Sequence, residues 1–80
     1  MVKNNILVTG GFGLLGKPLV LKLINSNNNV FILERKNKRR EKFLSKKPKK
    51  IIVGNFNNKS FITKILKKNK INVIFHLGAI

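Results

Sequence analysis

A glycine-rich segment near the amino terminus has the residue types that suit chemistry with a phosphate group. Gly10, Gly13 and Gly16 recur at three-residue spacing, between the apolar run 6–8 and an apolar-rich run over 14–24. A helix that begins at such a turn presents unpaired N–H groups and the positive end of its dipole. This arrangement suits a pyrophosphate. The spacing differs from the simplest dinucleotide fingerprint, G-x-G-x-x-G, by one residue in the first interval.

The acidic residue at position 34 is the second candidate. In a nucleotide-binding β-α-β unit, a carboxylate at the end of the second strand accepts hydrogen bonds from the adenosine ribose hydroxyls. Glu34 directly follows the apolar run 30–33, and the chain has only two acidic residues in all. An acidic residue at this position is therefore independent support for the interpretation of the glycine segment as part of a dinucleotide-binding site. The alternative is a solvent-exposed strand-end glutamate paired with Lys36 or Lys38.

The elements that must position these residues alternate between strands and helices. Four short apolar runs, of the kind buried on both faces of a parallel sheet, predict strands. These runs cover residues 6–9, 30–33, 51–53 and 71–77. Apolar residues at helical spacing predict one helix over 14–24 and another that ends at Asn69. Residues 35–50 are mostly charged, and they predict a basic loop with a short, poorly anchored helix.

This order of elements, β-α-β-α-β-α-β with short connections, predicts an α/β fold with a parallel sheet and right-handed crossovers. The doubly wound arrangement gives the strand order 3-2-1-4, with the glycine turn at the carboxyl end of the first strand. We expect one domain over residues 1–80, with residues 35–50 as its only linker-like segment.

The composition raises one alternative and excludes several kinds of site. A formal charge of +16 suits a small basic nucleic-acid-binding or interaction module. However, lysine, asparagine and isoleucine make up 37 of the 80 residues and occur in all elements, which indicates a general bias and no specific nucleic-acid partner. With no cysteine and one histidine, no disulfide or zinc site can form. No run is long enough for a membrane span or signal peptide, so we expect a cytoplasmic protein.

The chain resembles the extended short-chain dehydrogenase/reductase family, and most of all its NAD-dependent epimerase/dehydratase branch. The residues that carry the resemblance are Thr9-Gly10-x-x-Gly13-x-x-Gly16, Glu34, Gly54-Asn55 and His76-Leu77-Gly78-Ala79. It covers essentially all 80 residues, but only the first part of that family's domain. It implies a partial Rossmann fold and the NAD-binding portion of an enzyme that acts on nucleotide sugars.

The resemblance also implies a role for each matching residue. The three glycines of the segment would shape the pyrophosphate turn, and Leu14 and Leu15 would contribute backbone N–H groups. Glu34 would hold the adenosine ribose, Asn55 and Phe56 would flank the adenine, and the segment Leu77, Gly78 and Ala79 would line the cofactor.

Several positions affect how tightly the cofactor is bound and whether it is NAD or NADP. The family usually has aspartate at position 55 and just before the fourth strand, where this chain has Asn55 and Asn72. An asparagine carbonyl can still accept a hydrogen bond from an adenine amino group, and its NH₂ can donate one. Glu34 should repel a 2′-phosphate, whereas Arg35 and Lys36 could attract one, and on balance we predict NAD rather than NADP.

The family transfers hydride with a tyrosine and a lysine four residues later, and this chain contains no tyrosine. Without that tyrosine, the hydride step has no positioned acid or base. We therefore expect the amino-terminal piece of such an enzyme, with no catalytic residue and no metal, whose nucleotide-sugar substrate binds only in a full-length protein. His76 is predicted to be a packed strand-end residue and not a general base.

Overall fold

The computed structural model describes residues 3–10, 16–36 and 44–77, and within these ranges it contains four strands and two helices. The elements are β1 (Asn5–Thr9), α1 (Gly16–Asn25), β2 (Asn29–Glu34), β3 (Lys50–Val53), α2 (Lys59–Lys68) and β4 (Val73–His76). The short helix predicted in the basic stretch falls largely on residues that lie outside the described ranges. Residues 44–49 form bends and irregular backbone.

The four strands form one parallel sheet in the order β3-β2-β1-β4. Ile6 of β1 pairs with Val30 of β2, and Thr9 of β1 pairs with His76 of β4. The predicted fold class and the strand order 3-2-1-4 are confirmed. The two central strands, β1 and β2, are continuous apolar runs because a central parallel strand is covered on both faces.

A helix covers each face of the sheet. The α1-side cluster of buried residues consists of Ile6, Val8, Val20, Val30, Ile32 and Leu44. The α2-side cluster consists of Leu7, Phe31, Leu33, Ile52 and Ile65. Neighbouring residues of a strand fall in different clusters because successive side chains point to opposite faces. Leu44 is only 5% exposed, so this residue of the basic stretch is anchored in the core, although the sequence predicts a poorly anchored segment there.

Asparagines join the amino ends of three strands. Asn29 Nδ2 donates to Asn5 Oδ1 at 2.8 Å, and Asn5 Nδ2 donates to the Lys70 carbonyl at 3.1 Å. Asn72 Oδ1 accepts from the Asn5 N–H at 2.9 Å, while Asn72 Nδ2 donates to Asn4 Oδ1 at 3.2 Å. The asparagine-rich composition therefore supplies a hydrogen-bond network at the edge where the strands begin.

The ends of the helices use asparagine as well. Asn27, just after α1, has a φ of 65°, a left-handed conformation that asparagine tolerates better than most residues. Asn58 caps α2, because its side chain accepts a hydrogen bond from the Phe61 N–H at 3.1 Å. Each helix has 10 residues, and neither of these described helices is long and apolar enough to cross a membrane.

Candidate functional site

The carboxyl ends of all four strands lie at one edge of the sheet because the strands are parallel. Residues singled out from the sequence follow these ends directly: Gly10 after β1, Glu34 at the end of β2, Asn55 shortly after β3 and Leu77 after β4. In doubly wound sheets, ligands bind outside the carboxyl ends, where the strand order reverses. Here the order reverses at β1, between β2 and β4.

Gly10 begins the turn that follows β1. Its φ of 73° lies in the left-handed region, where a side chain is costly and glycine is favoured. The chain then leads to Gly16, which is buried and is the first residue of α1. Gly13, Leu14 and Leu15 lie outside the described residues. The two described ends of the segment thus show the strand-to-helix connection that the sequence predicts.

Glu34 lies one strand away, and its side chain is half-buried. Its carboxylate oxygen Oε2 is buried, and its main-chain carbonyl accepts a hydrogen bond from the Gly54 N–H at 2.8 Å. Thr9 pairs with Leu33 across β1 and β2, so Glu34 leaves β2 at the level where Gly10 leaves β1. Its side chain is less exposed than that of a fully solvated strand-end glutamate, and pairing with Lys36 or Lys38 stays the alternative prediction. Its position beside the glycine turn suits a group that binds ribose hydroxyls.

Gly54 lets helix α2 approach the end of β3. A Cβ atom on this residue would lie 2.1 Å from Cε2 and 2.3 Å from Cζ of Phe61, far inside van der Waals contact. The Phe61 ring is half-buried and packs against the α2-side cluster. In the sequence, Gly54 is one of the residues that carry the family resemblance. Its close packing against Phe61 gives a physical reason for a glycine at this position.

Asn55 sets the shape of the connection between β3 and α2. Its side-chain Oδ1 accepts a hydrogen bond from the Asn57 N–H at 2.9 Å, and its main-chain carbonyl accepts one from the Asn58 N–H at 3.1 Å. The first bond closes an Asx turn. Asn55 and Phe56 are both exposed at the carboxyl edge. Their exposure there leaves them accessible to a ligand.

His76 at the end of β4 connects this turn to the centre of the sheet. The rings of His76 and Phe56 are stacked, with centroids 4.2 Å apart and an interplanar angle of 11°. His76 Nδ1 is also hydrogen bonded to Thr9 Oγ1, 2.5 Å away, and Thr9 is buried. The imidazole is thus held from two sides although His76 is largely exposed. The stacking contact was not predicted, because no periodicity or motif connects residues 20 positions apart.

Arg35 and Leu77 continue from β2 and β4. Arg35 is exposed directly after β2. Leu77 is 40% exposed, and its N–H donates to the Thr9 carbonyl at 3.0 Å, which extends the pairing of β4 with β1. Gly78 and Ala79, which the sequence also assigned to the site, lie outside the described residues.

A basic hollow of about 360 Å³ lies at the opposite, amino edge of the sheet. It is lined by Asn5, Asn29, Phe31, Lys49, Lys50, Lys68, Asn69 and Lys70. Four lysines therefore meet at one place, a local concentration of charge that the even distribution of lysine along the sequence did not predict. A five-residue strand separates the two edges by roughly 16 Å, so their binding properties can be tested separately.

Comparison with known proteins gives a family for the chain. The family model described as NAD dependent epimerase/dehydratase matches residues 6–80. The UDP-glucose 4-epimerase of Haemophilus influenzae is 31% identical over 81 aligned residues, which cover 94% of this chain and 24% of that protein.

Two solved structures share the fold. L-threonine dehydrogenase from Clostridium difficile superimposes with a TM-score of 0.80 at 26% identity, over 100% of this chain and 25% of that one. The Bordetella bronchiseptica enzyme WbmH, solved in complex with NAD+, gives a TM-score of 0.78 at 15% identity, over 99% of this chain and 27% of that one. The chain therefore spans about a quarter of the length of each protein that it matches.

Proposed function

The chain belongs to the NAD-dependent epimerase/dehydratase family, and we propose that it binds the adenosine diphosphate part of a nicotinamide dinucleotide at the carboxyl edge of its sheet. The observation that carries this proposal is the position of Gly10 directly after β1 and of Glu34 at the end of the paired strand β2. A glycine turn that leads into a helix suits a pyrophosphate, and a carboxylate one strand away suits the ribose hydroxyls.

The pyrophosphate would be bound by main-chain groups. The left-handed φ of Gly10 turns the chain sharply at the end of β1, and Gly16 is buried where α1 begins. As the family resemblance implies, Gly13 would allow close approach of the ligand, and Leu14 and Leu15 would contribute backbone N–H groups to the phosphates. The dipole of α1 adds a partial positive charge at this end.

The adenosine would lie across the ends of β2, β1 and β4. Glu34 accepts hydrogen bonds from the ribose, and Asn55 and Phe56 flank the base. The Phe56 ring remains 40% exposed although His76 stacks on it, so it offers apolar surface to a planar base. Leu77 and, as the family resemblance implies, Gly78 and Ala79 would complete the lining beyond β4.

The carboxylate of Glu34 also favours NAD over NADP. A 2′-phosphate would bring its negative charge next to this half-buried carboxylate, and such a repulsion is weakly screened. Arg35 could offset part of it, but its side chain is exposed and its charge is screened by solvent. We infer that the dinucleotide is NAD.

The chain supplies candidate binding groups but not the tyrosine that the family uses to transfer a proton. It contains no tyrosine, so it lacks the Tyr-x-x-x-Lys pair that the family uses. We propose that the chain alone catalyses no hydride transfer. We further propose that a nucleotide sugar is the substrate of the longer protein in which these residues would act.

Calorimetric titration with NAD, NADP and ADP-ribose tests the binding proposal. We expect NAD and ADP-ribose to bind with similar affinity, because the site holds their common part, and NADP to bind more weakly. Glu34→Gln should weaken NAD binding by about 10-fold, the effect of losing one charged hydrogen bond, and should reduce the preference over NADP. Lys64→Gln, which changes one charge at an exposed position on α2 away from the proposed site, is the control. NAD binding that is unchanged in Glu34→Gln would contradict the proposal.

The basic hollow supports polyanion binding as a second candidate function. The four lysines that line it, Lys49, Lys50, Lys68 and Lys70, would bind phosphates of a nucleic acid with a steep dependence on salt. Lys68→Gln with Lys70→Gln should then weaken oligonucleotide binding and leave NAD binding unchanged. Competition between NAD and the oligonucleotide would contradict the expectation that they bind at two separate sites.

A further inference from the structure

We propose that the base subsite of this chain favours a purine with a 6-oxo group over adenine, because Asn55 presents a hydrogen-bond donor there. The inference rests on the proposed function, namely that a dinucleotide binds at the carboxyl edge. It adds a preference between purine bases, which follows from the side-chain amide of Asn55 and from the turn that contains this residue.

The orientation of the Asn55 amide follows from its partner. The main-chain N–H of Asn57 is a donor only, so the atom 2.9 Å from it must be the side-chain oxygen. Rotating the amide by half a turn would place its NH₂ against that N–H and lose the bond. The Asx turn therefore fixes which heteroatom faces the main chain.

The other heteroatom, Nδ2, is left for a ligand. Among the residues that the structure describes, no protein group hydrogen bonds to Asn55 Nδ2, and the residue is exposed. The two heteroatoms of an amide diverge from Cγ, so Nδ2 points away from the Asn57 N–H. Asn55 consequently offers two N–H donors to whatever lies beside the turn.

Contacts on both sides hold the turn in place. The Gly54 N–H is bound to the Glu34 carbonyl at 2.8 Å, which fixes the start of the connection to β2. On the other side, the Phe56 ring stacks on His76, which is in turn hydrogen bonded to Thr9. These contacts oppose a shift of the turn that would bring the Asn55 oxygen to the ligand instead.

The outer edges of purines differ in the group at C6. Adenine carries an NH₂ donor there, whereas hypoxanthine and guanine carry a carbonyl acceptor. The NH₂ of Asn55 would meet the adenine amino group as donor against donor, and it would meet a 6-oxo group as donor against acceptor. An aspartate at position 55 could close the same turn with one oxygen and accept from adenine with the other.

The test compares NAD with nicotinamide hypoxanthine dinucleotide by calorimetry on the whole chain. We expect the hypoxanthine compound to bind about 5-fold more tightly, which corresponds to one neutral hydrogen bond gained. Asn55→Asp should reverse the preference. Its added negative charge lowers the affinity for both ligands, so the ratio of the two dissociation constants is the readout. Asn27→Asp adds the same charge at an exposed position beyond α1 and should leave the ratio unchanged.

Each outcome separates the inference from the function on which it rests. Tighter binding of NAD, or equal binding of the two compounds, in the unchanged chain would overturn the base preference and leave dinucleotide binding intact. Failure of both compounds to bind would overturn the proposed function, and the inference with it. The side-chain amide resonance of Asn55 provides a second measurement, because it should shift on titration with the hypoxanthine compound even if Asn55→Asp does not fold.

Discussion

Replacing Gly54 by alanine places two opposing effects in competition. The backbone at Gly54 is not in the left-handed region, so alanine fits it, and the loss of freedom in the unfolded chain should stabilise the protein by about 0.4–1 kcal/mol. The new methyl group, however, would lie 2.1 Å from the Phe61 ring, where carbon atoms normally stay about 3.5 Å apart or more.

The steric effect should win. The ring must move by more than about 1 Å, and it is packed against the α2-side cluster. Overpacking of this kind costs about 1–3 kcal/mol, so we expect a net loss of about 1–2 kcal/mol for Gly54→Ala. In a domain of this size that lowers the melting temperature by roughly 4–16 °C. Urea unfolding followed by circular dichroism measures the same loss as a lower midpoint with an unchanged slope.

A double-mutant cycle with Phe61→Leu checks the cause. Leucine lacks the two ring atoms that approach Gly54 most closely, so Gly54→Ala should become neutral or slightly stabilising in that background. A loss of the same size with phenylalanine and with leucine at position 61 would refute the reasoning. The glycine would then be needed for its backbone and not for the space it leaves.

Three further changes test other contacts of the fold. Asn58→Ala should cost about 1 kcal/mol in urea unfolding because it removes the cap of α2, whereas Asn58→Asp should keep the stability. Thr9→Val should cost about 1 kcal/mol through the lost hydrogen bond to His76, and the ring resonances of His76 should shift in the NMR spectrum. Leu44→Ala should cost about 2–5 kcal/mol because this side chain is buried, while Leu77→Ala, at a 40% exposed position, should change thermal stability little.

The strands could be predicted because their residues are apolar without interruption, and their ends could not. Asn5 and Asn29 belong to β1 and β2 although they are polar, since they pair with each other in the sheet and their side chains are hydrogen bonded. The fourth strand was predicted over 71–77, but it covers Val73–His76. Its predicted start is instead taken by Asn72, which binds the amino end of β1. Long-range pairing decides these boundaries.

The places of Gly10 after β1 and of Glu34 at the end of β2 could be predicted from the pattern of strands. Their roles in binding stay predictions. The contact between Phe56 and His76 could not be predicted, since it joins the connection after β3 to the end of β4, the two outer strands of the sheet. Three strand spacings, roughly 14 Å, separate those strands. The turn after β3 must therefore extend along the carboxyl edge, beside the residues proposed to bind the cofactor.

Two asparagines that replace the family's usual aspartate have different consequences. Asn72 uses both ends of its amide, because its oxygen accepts from Asn5 and its nitrogen donates to Asn4. An aspartate at position 72 would bring an oxygen against the Asn4 oxygen, so asparagine suits that network. Asn55 uses only its oxygen within the described protein, and we propose that its nitrogen is left for a ligand. At position 72 the asparagine amide is therefore fully used by hydrogen bonds within the fold. At position 55 the same residue type would, under our proposal, change which base is bound.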